Sequence, residues 1–164
     1  MGMAHSLVLK PDKSVWATGS NSFGQLGDGS SGNKVKSFIE VLSKGAKAVA
    51  AGASHSMVVK QDGSLWATGY NGYGQLGDGT TTDRDYPVQV SGIDNALDVY
   101  LGTSMACAAI DNRTNLKCWG NYYLGDGSTT DSTTPVTVTE TNGWGSDYTF
   151  DDVAIGQSSA CAYN

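Results

Sequence analysis

Charge is scarce in this sequence. Asp, Glu, Lys and Arg make up 16% of the chain, no Lys/Arg cluster occurs anywhere, and the net charge is −6. Binding nucleic acid needs basic side chains that displace phosphate counterions, so no nucleic-acid partner is expected. No apolar run approaches membrane-spanning length, and membrane insertion is not expected either. Met1 to Lys10 lacks the long apolar region of a signal peptide. Sustained helical periodicity with caps is missing, which argues against an α-rich fold. Histidine occurs only as His5 and His55, and Ser6, Ser56 and Ser104 have no Asp–His set arranged as a triad. With no helix to follow one, no glycine loop is placed to cradle phosphate. The expectation is a non-catalytic chain with no cofactor.

Glycine, by contrast, is abundant at 22 residues, and Thr, Ser, Asn and Asp crowd into short clusters. Gly, Asn and Asp relieve the steric cost of turns, so the mixture favours many short strands joined tightly. The chain then repeats itself. His5 to Gly19 reads HSLVLKPDKSVWATG, and fifty residues on His55 to Gly69 reads HSMVVKQDGSLWATG. NSFGQLGDGS from Asn21 matches NGYGQLGDGT from Asn71. A more divergent copy, SMACAAIDNRTNLKCWGN, starts at Ser104 and is followed by LGDGSTTD from Leu124. A fourth begins with DDVAIGQSSACAYN, whose Val153 and Gly156 correspond to Val99 and Gly102 and to Val49 and Gly52.

Each unit holds a short apolar strand (Ala48 to Gly52), a hairpin (Ser54 to Lys60 with Ser64 to Thr68) and a further strand (Tyr86 to Val90). Gln61-Asp62-Gly63 suits a three-residue hairpin loop with Gly63 in the left-handed position, which places Met57 opposite Ala67. Four strands in about fifty residues are typical of one propeller blade. In the LGDG turns, Gly27 and Gly29, Gly77 and Gly79, and Gly125 and Gly127 flank Asp28, Asp78 and Asp126. Glycine there permits positive φ, and the carboxylate can cap nearby backbone N–H groups. Trp16 and Trp66 read as apolar plugs between blades. Pro87 and Pro135 read as strand starts, where no ladder donor is needed.

These residues resemble the RCC1 repeat family, whose pattern runs from a His-Ser/Thr strand through a turn and W-x-x-G or C-W-G to N-x-x-G-Q-L-G-D-G-T. Two copies are almost intact, while the third lacks about three residues between Gly120 and Leu124. The resemblance implies an all-β β-propeller, usually of seven four-stranded blades. Here that would be about three four-stranded blades plus the start of a fourth, with repeats near 1–45, 46–95, 96–150 and 151–164. Three blades and a part do not close such a propeller, so the expectation is a fragment cut mid-blade at both ends. The alternative is a short protein that closes as a homo-oligomer.

The cysteines carry the sharpest chemistry. Cys107 aligns with Met57 and Leu7, and Cys118 with Ala67 and Ala17. A four-residue loop, Asp111 to Thr114, sets Cys107 directly opposite Cys118. Non-hydrogen-bonded antiparallel pairs have Cα atoms about 4.5 Å apart, at the short edge of what a disulfide accepts. A disulfide is expected, and two buried thiols are the alternative. Cys161 aligns with Cys107, so its natural partner would lie beyond Asn164. A bridge of this kind points to an oxidising setting, extracellular or at the cell surface. Asn112-Arg113-Thr114 matches a glycosylation acceptor within the same turn, a pattern that often arises by chance.

His5 and His55 share a repeat position, which argues for a structural hydrogen bond in each blade. Met105 stands there in the third copy, against a metal ring. The Asp28, Asp78 and Asp126 series lacks calcium-loop spacing and is better read as turn chemistry. Phe23, Tyr73 and Tyr123 lie near loop tips, where they serve either binding or packing between blades.

Functionally, the expectation is a scaffold that binds a protein partner through blade loops, with Ser31 to Lys36, Thr81 to Asp85 and Thr139 to Asp147 as the variable segments. The alternatives are a carbohydrate- or surface-binding module, with Trp144 as its exposed aromatic, and an enzyme-inhibitor propeller.

Overall fold

The computed structural model describes residues 2–121, 123–139, 152–156 and 160–163. It is built from antiparallel sheets, each a meander with strands in chain order. The first contains β1 (His5–Leu9), β2 (Val15–Gly19) and β3 (Val35–Leu42). The second contains β4 (Ala46–Ala51), β5 (His55–Lys60), β6 (Leu65–Gly69) and β7 (Arg84–Gln89). The third contains β8 (Ala96–Leu101), β9 (Met105–Ile110), β10 (Asn115–Gly120) and β11 (Ser132–Thr137). β12 (Asp152–Ile155) and β13 (Ala160–Tyr163) pair as a fourth. The first sheet thus has three strands among the described residues rather than four, because it holds no counterpart of β4.

The hairpin loops follow from their chemistry. Gly63 sits at φ 83° and its N–H returns to the Lys60 carbonyl, closing the three-residue loop. The Asp62 carboxylate accepts from both the Ser64 N–H and hydroxyl, and Ser64 Oγ accepts the Trp66 indole N–H. Lys60 Nζ lies 3.8 Å over the same indole. Asp12, Ser14, Trp16 and Lys10 repeat the arrangement, with Lys13 in the left-handed position at φ 69°. In the third sheet a 3-10 turn, Asp111–Arg113, replaces this loop, with positive φ at all three residues.

The sheets stack face to face: β4 packs on β1 and β8, and β8 on β12. Alternation decides which face meets which neighbour. Met57, Leu65 and Ala67 of the second sheet meet Ala106, Ala108 and Trp119 of the third in one buried cluster. Met105, Cys107 and Cys118 on the opposite face of the third sheet pack with Val153. Near the stacking axis the spacing is very tight. A Cβ on Gly52 would lie 2.8 Å from the Gly102 carbonyl oxygen, and one on Gly102 would lie 2.6 Å from that of Gly156. Only glycine admits this approach at the repeated position.

Two expectations need correction. Trp16 and Trp66 are half-buried and lie under lysines rather than plugging seams. The plug is Trp119, fully buried, at the position held by Thr68 one sheet earlier. The shift arises because C-W-G places its Trp two residues later than W-x-x-G. Pro87 and Pro135 stand inside β7 and β11 rather than at their starts. Both strands are outermost in their sheets, and each has a register shift there, so no ladder donor is required.

Candidate protein-interaction face

The N-x-x-G-Q-L-G-D-G loops form one surface, and their rigidity begins with a buried asparagine. Asn71 Oδ1 accepts the Leu76 N–H, while Nδ2 donates to Asp78 Oδ1 and to the Thr80 and Thr82 carbonyls. Asn21 makes the matching bonds to Leu26, Asp28 and Ser30. Gln25 and Gln75, also buried, accept the N–H groups of Phe23 and Tyr73. A buried amide at a fixed repeat position is thus the frame of each loop. The signal was present in the sequence, since all four recur as identical polar residues.

The Asp residues of the turns act locally. Asp28, Asp78 and Asp126 each accept the backbone N–H two residues on. Arg84 adds two bonds to Asp78 Oδ2, at 3.0 and 2.8 Å. Burial works to raise the Asp78 pKa, but hydrogen bonds from Thr80 and Arg84 outweigh it and hold the carboxyl below its ordinary value. Hydrogen bonds from Ser128 likewise lower Asp126. All six flanking glycines, Gly27, Gly29, Gly77, Gly79, Gly125 and Gly127, have positive φ. Among the described residues, no group of three or more His, Cys, Asp or Glu is arranged to hold a metal ion.

Each loop is also fastened to the next sheet. Thr68 Oγ1 and Ser56 Oγ donate to the Gly24 and Gln25 carbonyls, and the Gly29 N–H donates to the Asp85 carbonyl. One sheet on, Trp119 Nε1 donates to the Gln75 carbonyl and the Gly79 N–H to that of Thr133. His5 Nε2 meets Ser56 Oγ at 2.7 Å. Since that hydroxyl donates to Gln25, the neutral imidazole must donate from Nε2. Burial lowers the His5 pKa to about 4. His55, completely enclosed, falls to about 3, and its ring nitrogens have no hydrogen-bond partner among the described residues. The reason lies one sheet on, where Ala106 occupies the position of Ser56.

On this frame the aromatics come together. Phe23 meets Tyr70 of the next sheet with ring centroids 4.9 Å apart, and Tyr70 meets Tyr73 edge-on at 6.2 Å. Phe23 and Tyr73 nevertheless remain exposed, at 39% and 43%. They therefore both pack between blades and face solvent. Ser22, Phe23, Ser31, Asp83 and Asp85 line a shallow depression beside them. Tyr70 was missed because its counterpart in the first copy is Ser20. Tyr123 is exposed but directly precedes Leu124, the place Gln75 takes before Leu76. Trp144 and most of the Thr139 to Asp147 segment lie outside the described residues. Cys107 and Cys118 are buried, directly paired across β9 and β10, and joined by a disulfide.

The family model for the regulator of chromosome condensation (RCC1) repeat matches residues 12–59 and 62–109, and a second model of that description matches 46–75. No protein with a curated description matches the chain. Among solved structures, human WBSCR16 superposes with a TM-score of 0.85 at 23% identity, over 99% of this chain and 43% of that one. Yeast RCC1 (Prp20), solved with Kap60, superposes at 0.82 and 21% identity over 98% and 40%. Prp20p from Saccharomyces cerevisiae, described with its binding to Gsp1p and histones, superposes at 0.74 and 20% identity over 86% and 37%. The chain thus spans about two fifths of the length of these propellers. With the repeat model matched twice in tandem and the blades in place, this chain belongs to the RCC1 repeat family.

Proposed function

We propose that this chain is a non-catalytic scaffold whose loop face binds a basic segment of a partner protein. The observation that carries the reading is the Phe23–Tyr70–Tyr73 cluster, exposed yet locked across two sheets, beside the carboxylates of Asp83 and Asp85. A Lys or Arg side chain gains from an aromatic face and a nearby carboxylate together. The net charge of −6 steers basic partners towards it. Protein binding by Prp20, described with Kap60, Gsp1p and histones, supports a protein partner in general. The buried Cys107–Cys118 disulfide supports an oxidising, extracellular or cell-surface setting.

Core histones provide a basic test partner in a salt-controlled binding assay. The double variant Phe23→Ser, Tyr73→Ser should bind at least about tenfold more weakly, since interface aromatics typically carry more than 1 kcal/mol each. Its thermal midpoint should be nearly unchanged. Equal binding by the folded variant would remove the aromatic cluster from the reading, and no binding by the parent chain would remove the basic partner.

A further inference from the structure

The two seams flanking the second sheet are made by corresponding strands, so they compare position by position. In the seam between the second and third sheets, Trp119 projects from β10 onto the second sheet. Its indole is fully buried against Gly77 and Val90 and donates to the Gln75 carbonyl at 2.9 Å. In the preceding seam the same position, on β6, holds Thr68. Its hydroxyl donates to the Gly24 and Arg84 carbonyls. The counterparts of Gly77 and Val90 there are Gly27 and Val41. Both line an apolar cavity of about 160 Å³, together with Leu26, Val58 and Thr68 itself. The space that an indole fills in one seam is open in the other.

The cavity walls are chemically quiet. Ser56 Oγ already serves His5 and the Gln25 carbonyl, so the hydroxyls facing the space are paired. Lys60 and Trp66 also line it, stacked on each other and half-buried. An apolar cavity of about 150 Å³ is enough to take up benzene. The internal repeat sets the shape of the occupant more closely, because a planar bicyclic ring already fits between these same elements one seam on.

We propose that the cavity between the first and second sheets is a binding site for a small planar aromatic molecule of indole size, which takes the place that Trp119 holds in the next seam. This site is separate from the loop face and does not depend on it.

The probe is indole, titrated calorimetrically into the intact chain. Saturable binding with one site per chain is expected. Thr68→Trp supplies the missing ring from within the protein, and should weaken indole binding at least about tenfold while raising the thermal midpoint. Val58→Phe narrows the cavity from the same wall and tests the point if the first variant does not fold. Trp119→Thr opens the second seam, so its lowered thermal midpoint should recover in part when indole is added. Absence of saturable binding by the parent chain overturns the proposal. Unchanged affinity in a folded Thr68→Trp or Val58→Phe variant overturns it equally, by placing the indole elsewhere.

Discussion

His5 and His55 occupy the same repeat position yet have different surroundings, and one atom makes the difference. The Ser56 hydroxyl receives His5 and passes its own proton to the Gln25 carbonyl, which links two sheets through a single side chain. Ala106 denies His55 the same partner. Restoring the hydroxyl with Ala106→Ser should stabilise the fold by about 1 kcal/mol, the net worth of a buried hydrogen bond. Ser56→Ala should cost roughly 1–3 kcal/mol, because a buried ring nitrogen and a carbonyl both lose their partner. Urea unfolding of the two variants checks the pair. A destabilised Ala106→Ser protein would show that the seam lacks room for an oxygen.

At the scale of elements, the hairpin loops of the first two sheets are the same device with one residue changed. Lys13 and Gly63 occupy the same left-handed site, at φ 69° and 83°. A left-handed conformation costs a residue with a Cβ roughly 1–2 kcal/mol more than glycine. Lys13→Gly should therefore stabilise β1 and β2 by up to about 1 kcal/mol once glycine's greater unfolded freedom is deducted. Both backbone bonds of the loop, Lys13 N–H to Lys10 and Ala46 N–H to Lys13, remain available to the variant. A lower thermal midpoint would refute this. Such loops were readable from sequence because turn chemistry is local, and the Cys107–Cys118 pairing followed from hairpin register alone. The Trp119 plug was hidden because its Trp is displaced along the strand to the other repeat motif. Phe23 and Tyr73 were visible as loop aromatics. Their assembly through Tyr70 was not, since the contact joins two sheets and its middle residue breaks the repeat.

For the molecule as a whole, the sheets are held together at seams that contain few charges, and both histidines are buried there. Burial holds His5 at about 4 and His55 at about 3, against an ordinary value of 6.5. The unfolded chain, whose histidines titrate normally, binds more protons than the folded one between those limits. Stability contributed by the neutral rings is therefore fully present above about pH 6.5 and is lost as the pH falls from 6.5 towards about 4 for His5 and about 3 for His55. The loss is on the order of a few kcal/mol across that window, a large fraction of the stability of an ordinary domain. Met105 already replaces histidine at this position in the third sheet, fully buried against Gly102. His55→Met should consequently fold and show a weaker dependence of its urea midpoint on pH between about 7 and 4. Equal pH dependence in the parent and the variant would mean that acid loosens the seams through other groups.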